Sequence, residues 1–376
     1  MYSDGFTTGS SYSFLNGSTP FVAWNWNANT TPSKTYVVTV VSDSGNKYRF
    51  DGFGTSAVTL DLQEGGTYKF DQSHSSNSGH PFRFGTSANG SDYTTGVTTS
   101  GTPGNSGAYT QITVAAGAAT LYYACSAHSG MGGQANTNST SGSSNFSGSI
   151  QSNLSANVDA GFSIVSYTGN ATSGATIGHG LSVTPEMIIV KERGNADSWA
   201  VYHTSMGNTK LMHLDQTLAE RTHTTYWNDT SPTSSVFSVG SDNKTNGNNA
   251  AGMIAYCFHS VDGYSKVGSY TGNDSSDGTF VYTSFAPSLV ILKYTSGTAG
   301  GTKNWHMYDN KRSTYNPTEN VLFANENTAE SGASAFDIDF LSNGFKLRNA
   351  EGAVNNAAEY VYIAFAETPF KYSNAR

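Results

Sequence analysis

Leu121-Tyr-Tyr-Ala-Cys-Ser-Ala-His-Ser-Gly-Met-Gly-Gly133 puts an imidazole three residues after a thiol and a thioether six residues after it. A short strand carrying Tyr122 and Tyr123 delivers Cys125, and a Gly-bearing loop presents His128 and Met131. Soft sulfur plus imidazole suits copper, and a trigonal set of two His and one Cys with a weak axial Met is the arrangement of blue-copper sites. The second imidazole has to come from elsewhere in the chain. His80, in Ser78-Gly-His-Pro-Phe-Arg-Phe84, is the best candidate, because Phe82 and Phe84 alternate as a buried strand would. His74, in Asp71-Gln-Ser-His-Ser-Ser76, reads as a solvated loop histidine. The competing reading is structural: a lone buried Cys is often a small hydrophobe, and a sandwich can keep such a loop without metal.

On these residues the stretch of about 36–135 resembles the cupredoxins, small Greek-key sandwiches in which one upstream His joins a Cys, His and Met loop between the last two strands. The two-residue gaps from Cys125 to His128 and from His128 to Met131 are similar to the shortest copper loops of that family. The resemblance implies a type 1 copper site held by His80, Cys125, His128 and Met131. Pro81 stands where family members commonly carry an Asn that ties the loop together, and proline offers neither an amide side chain nor an N–H.

Composition points the same way for the whole chain. Its 376 residues allow two or three domains, each with its own core. Charged residues are 12%, about half the usual share, whereas aromatics reach 12%, so the chain is ordered and its surface is neutral and polar. An all-β fold is expected. The net charge of -8, with no cluster of Lys and Arg, argues against nucleic acid as a partner. Cys125 and Cys257 are the two cysteines and fall in different domains, so no disulfide framework is expected. No apolar run is long enough for a membrane span, and Met1-Tyr-Ser-Asp-Gly-Phe6 lacks the features of a secretory signal. A virion, assembled in the cytoplasm and working outside, reconciles such a surface with the lack of a visible export signal, and a chain processed or truncated at its N-terminus reconciles them equally well.

The strongest organisational signal is duplication. Ser166-Tyr-Thr-Gly-Asn170 returns as Ser269-Tyr-Thr-Gly-Asn273, and Pro185-Glu-Met-Ile-Ile-Val-Lys191 as Pro287-Ser-Leu-Val-Ile-Leu-Lys293. Trp199-Ala-Val-Tyr-His203 matches Trp305-His-Met-Tyr-Asp309, and Ile254-Ala-Tyr-Cys-Phe258 matches Val361-Tyr-Ile-Ala-Phe365. Residues 161–264 and 265–376 are therefore read as two copies of one β-sandwich or jelly-roll domain. Phe6 followed by Phe21-Val-Ala-Trp-Asn-Trp26 repeats the closing strand pair, so residues 1–30 read as the C-terminal half of a further copy, completed by a longer parent chain, a neighbouring subunit or the following domains. Between the cupredoxin-like module and the repeats, residues 136–160 have the composition of a flexible or extended linker. They include one alternating strand, Ser149-Ile-Gln-Ser-Asn-Leu-Ser-Ala-Asn157, of the kind that can add to a neighbour's sheet edge.

The repeats resemble modules of structural and tail-fibre-like proteins of marine bacteriophages. Ser166–Asn170, Gly178-His-Gly-Leu181 leading to Pro185 and Lys191, Trp199–His203 and the closing Phe365-Ala-Glu-Thr-Pro-Phe-Lys-Tyr372 carry that resemblance. It implies a virion or extracellular fibre component acting in assembly and host-surface recognition, self-associating, meeting other virion proteins and host glycans. A blue-copper electron carrier and a bacterial adhesin are the alternatives. No nucleophile, His and carboxylate stand in a catalytic pattern, so no enzyme is expected. His179 reads as a turn residue, Cys257 as a core filler aligned with Ala364, and Trp199 and Trp305 as repeat-matched core.

Overall fold

The computed structural model describes residues 20–28, 31–139, 142–247, 251–297, 303–332, 334–350 and 352–367. Among the described residues the regular elements are nearly all strands, as β-branched and aromatic runs punctuated by Gly, Asn and Ser require. The first sandwich comprises β1 (Ser33–Ser42), β2 (Asn46–Phe50), β3 (Leu60–Asp61), β4 (Thr67–Asp71), β5 (Phe82–Gly85), β6 (Val97–Ser100), β7 (Tyr109–Thr113), β8 (Leu121–Cys125) and β9 (Gly133–Asn136). One sheet runs β2-β1-β4-β7-β6 and the other β3-β9-β8-β5. Alternation puts Tyr36, Phe50, Phe70, Phe82, Phe84 and Tyr123 inward, and these rings form most of the core between the sheets.

Two linker strands follow, β10 (Ser143–Asn145) and β11 (Ser152–Asn157). Repeat one contains β12 (Phe162–Thr168), β13 (Ala175–Gly178), β14 (Met187–Glu192), β15 (Ala200–His203), β16 (Lys210–His213), β17 (Arg221–Thr222), β18 (Val236–Val239) and β19 (Gly252–Phe258). Repeat two contains β20 (Ser265–Thr271), β21 (Phe280–Tyr282), β22 (Pro287–Gly297), β23 (Trp305–Asp309), β24 (Leu322–Phe323), β25 (Ile338–Leu341), β26 (Gly344–Leu347) and β27 (Ala358–Ala366). Its main sheet, β20-β27-β22-β23-β24, repeats the order β12-β19-β14-β15-β16 strand for strand, and β21-β26 repeats β13-β18. The register agrees as well: Cys257 faces Ile188 across β19 and β14 as Ala364 faces Val290 across β27 and β22.

Each main sheet packs one face on its own small sheet and the other on the main sheet of its sister repeat. That explains why Met187–Val190 and Leu289–Leu292 are continuously apolar, since strands covered on both faces lose the alternation of half-exposed ones. Trp305 lies fully buried in this inter-repeat layer and donates from its indole N–H to the His213 carbonyl at 2.8 Å. Its repeat mate Trp199 is only half-buried, stacked on Tyr256 with centroids 6.4 Å apart, so the two tryptophans do not share a core role.

The linker departs from the flexibility that its composition suggests. Ser143, Ser144 and Asn145 are buried, and Phe146 stacks on Phe50 at 5.6 Å. Tyr36 and Lys34 both donate to the Ser144 carbonyl, at 2.8 and 2.7 Å, and Ser143 meets the Tyr68 hydroxyl at 2.6 Å. Polar side chains can be buried where each finds a partner. The alternating strand does add to a sheet edge, but within its own chain: β11 pairs with β12 from Ser152↔Tyr167 to Asn157↔Phe162 as a hairpin. Repeat two closes the equivalent edge differently. The Ser260 hydroxyl accepts from Val267 N at 3.0 Å and the Thr279 hydroxyl donates to the Thr271 carbonyl at 2.9 Å, occupying edge groups of β20 with side chains.

Of the expected half repeat, residues 1–19 lie outside the described residues, as does the closing segment beyond residue 367. Residues 20–28 form no strand; Trp26 and Ala28 pack into the inter-repeat layer, with Trp26 5.4 Å from Phe365 and 6.3 Å from Phe258. No helix among the described residues is long and apolar enough to cross a membrane.

Candidate metal centre

β5 runs antiparallel to β8 with Phe82 opposite Cys125. Cys125 therefore ends its strand at the point where β5 begins, and His80, two residues before Phe82, arrives at the same end of the sheet. The loop from Ser126 to Gly132 then returns the chain to β9, and it carries His128 and Met131. Gly132 is needed for that return, because a Cβ there would stand 1.7 Å from the Tyr123 carbonyl oxygen.

The result brings three of the four expected ligands together. Cys125 Sγ lies 3.9 Å from His80 Nδ1 and 3.7 Å from His128 Nδ1, and the ligand atoms of all three fall within 4.8 Å of one another. This is the one such His, Cys and carboxylate group found among the described residues. The spans fit a single shared ion: bonds of about 2.3 Å to a thiolate and about 2.05 Å to an imidazole, opened to about 120°, would set sulfur and nitrogen about 3.8 Å apart. Met131 is buried in the same hydrophobic cluster as Cys125, and its carbonyl accepts from Tyr48 N at 2.9 Å. His74 stands apart; it is exposed, and its Nδ1 accepts from Ser76 N at 3.2 Å.

Burial gives the three groups different access to solvent. Cys125 is buried, His80 half-buried and His128 exposed. Desolvation, and then the neighbouring His128, hold the His80 imidazole below its ordinary value, which favours the neutral, lone-pair form that a metal requires. The Ala127 N–H points at Cys125 Sγ, 3.4 Å away, a donor suited to a thiolate.

With Pro81 in place of an amide side chain, the loop is held by other groups. Pro81 contributes its carbonyl, which accepts from Ser126 N at 3.0 Å and joins the His80 segment to the Cys125 loop. The His80 carbonyl accepts from the Tyr48 hydroxyl at 2.8 Å and from Gln72 Nε2 at 2.9 Å, while Gln72 Oε1 accepts from Phe82 N at 3.1 Å. Gln72 thus spans His80-Pro81 as a clamp. Sequence reasoning missed it, because nothing in Phe70-Asp-Gln-Ser73 signals a partner ten residues on.

A family profile described as a domain of unknown function (DUF7483) matches residues 134–369, more than half of the chain. The chain belongs to the DUF7483 family. The match begins at β9 and spans the linker strands and both repeats, so His80, Cys125, His128 and Met131 lie outside the DUF7483 region. No curated protein and no solved structure matches the chain.

Within the DUF7483 region the singled-out residues are structural. His179 is fully buried and bridges its turn, with Nε2 3.1 Å from the Thr233 carbonyl and Nδ1 accepting from Leu181 N at 3.3 Å. Cys257 is fully buried, and desolvation pushes its thiol up to about 12.

Proposed function

We propose that residues 33–136 are a cupredoxin-like module with a mononuclear type 1 copper site, held by His80, Cys125, His128 and Met131, and that the DUF7483 region is the scaffold displaying it. The observation that carries this reading is the meeting of a thiol and two imidazole Nδ1 atoms, from segments 45 residues apart, at one sheet end within 4.8 Å. Copper held there supplies reversible one-electron transfer. The protein's part is to fix the ligands: Gln72 and Tyr48 immobilise His80, the Ala127 N–H faces the sulfur, and the exposed His128 ring provides the contact through which an electron partner would approach.

The wider role we infer is structural, in a virion or extracellular fibre, where the protein self-associates and meets host glycans through loops. The tandem repeats fused sheet to sheet favour this, since a scaffold gains from a shared apolar layer that resists shear between domains. A bacterial surface adhesin would use the same scaffold.

Copper titration of the metal-free protein tests the site. An intense visible thiolate-to-copper band is expected at one equivalent, absent in Cys125→Ala. Failure of the band to form with the thiol confirmed reduced would overturn the copper reading and leave the scaffold role, for which size measurement of the purified chain, trimer or filament against monomer, is the separate check.

A further inference from the structure

Among the described residues, the layer between the two main sheets leaves space unfilled. A cavity of about 390 Å³, partly open to solvent, lies there. Repeat one contributes Ile164, Ile189 and Tyr256 to its walls, and repeat two contributes Ile291, Met307 and Ile363. Trp26 and Trp199 also line it. Every described residue around it is aliphatic, aromatic or methionine, and none of these is charged. Protein interiors rarely leave voids larger than a water molecule, and water inside a polar-poor volume lacks the two to four partners that would hold it. The volume is within the range of small-molecule sites.

We infer that this cavity is a binding site for one neutral, apolar small molecule of the hydrocarbon class, an aliphatic chain or a fused ring. Three features set the class. The missing charge excludes an ionised ligand at depth, because nothing would replace its hydration. The lack of convergent donors and acceptors excludes sugars, which need several placed hydrogen bonds. Met187 and Met307 on opposite walls supply unbranched, polarisable side chains able to follow the ligand's outline. The site is independent of the metal centre, which belongs to the other sandwich.

Titrating the full chain with the neutral dye 1-N-phenylnaphthylamine tests this. Saturable binding at one equivalent is expected, with energy transfer from tryptophan that falls in Trp199→Phe. Ile189→Trp and Ile291→Trp, each filling the cavity from one wall, should weaken binding at least tenfold. No saturable binding by the folded wild type overturns the inference, as does unchanged affinity in a filled variant that keeps the wild-type circular dichroism. Were both filled variants to misfold, the Trp199→Phe comparison decides: unchanged energy transfer would place the dye elsewhere. Dimerisation that excludes the dye would also overturn it, by assigning the cavity to a second copy.

Discussion

Cys125 ends strand β8 at the rim of its sandwich, where loops bring two imidazoles to within 3.7 and 3.9 Å of its sulfur, whereas Cys257 lies within β19 under cover on both faces. The difference teaches that place in the sheet, at a rim where loops converge or on a strand paired on both sides, decides what a side chain can do more than residue type. At a sheet end, loops converge and polar atoms can face one another. In mid-sheet the neighbours are set by register, here Ser163 and Ile188, and desolvation makes the thiol inert.

The largest expected effect follows from ionisation. A thiol pushed up to about 12 is thiolate in only about one part in ten thousand at pH 8. Alkylation of the folded protein at pH 8 should therefore leave Cys257 intact until denaturant is added, whereas Cys125, at the loop end of its sheet, is modified first. Peptide mapping of partly alkylated protein reads this directly. Equal labelling of both thiols in the folded state would break the comparison.

The histidines extend the contrast. His203 and His306 are fully buried, and desolvation lowers them to about 4 and about 3. An unfolded chain binds their protons near pH 6.5. Between 6.5 and about 4 the unfolded state therefore holds protons that the folded state does not. Their contribution is fully present above pH 6.5 and is lost as pH falls, by about 1.4 kcal/mol per pH unit for each histidine. Urea midpoints at pH 7.0 and pH 5.0 should show this loss, and His306→Gln should make the pH dependence shallower. A slope that His306→Gln leaves unchanged would remove His306 from the account and assign the acid sensitivity to other groups.

Much of this architecture is legible in the sequence. The repeated Ser-Tyr-Thr-Gly-Asn and Pro-to-Lys motifs correspond to β12/β20 and β14/β22 in equivalent places, and the Cys125, His128 spacing locates the cluster with His80. What could not be read is whatever depends on distant partners. Ser143–Asn145 looks like a loose linker because its partners, Lys34, Tyr36 and Tyr68, lie 75 to 111 residues away. The β11 strand is visible from its alternation, yet only the turn at Val158–Gly161, closed by Gly161 N on the Val158 carbonyl at 3.1 Å, commits it to its own chain. The double-sided burial of Met187–Val190 shows as an apolar run, which says that both faces are covered without saying that a sister repeat covers one.

The smallest effect compares the two sulfurs as packing atoms. Repeat two already carries Ala364 at the place of Cys257, between the equivalent strands, with Lys266 and Val290 where Cys257 has Ser163 and Ile188, so Cys257→Ala installs the sister repeat's residue and removes one atom from a closed core. A loss of about 1 kcal/mol is expected, near the lower end for buried truncations. That loss should be the same with and without copper. Cys125 is buried to a similar degree by area, at 3%, but its variant should behave differently: Cys125→Ala removes the one sulfur that faces both imidazoles. A ligand that binds only the folded state raises stability by mass action, so copper should widen the gap between wild type and Cys125→Ala while leaving that between wild type and Cys257→Ala unchanged. Urea midpoints of the three proteins, each with and without one equivalent of copper, measure both gaps; a copper-dependent gap at Cys257 would mean that metal reaches the repeat core and that strand position does not separate the two thiols.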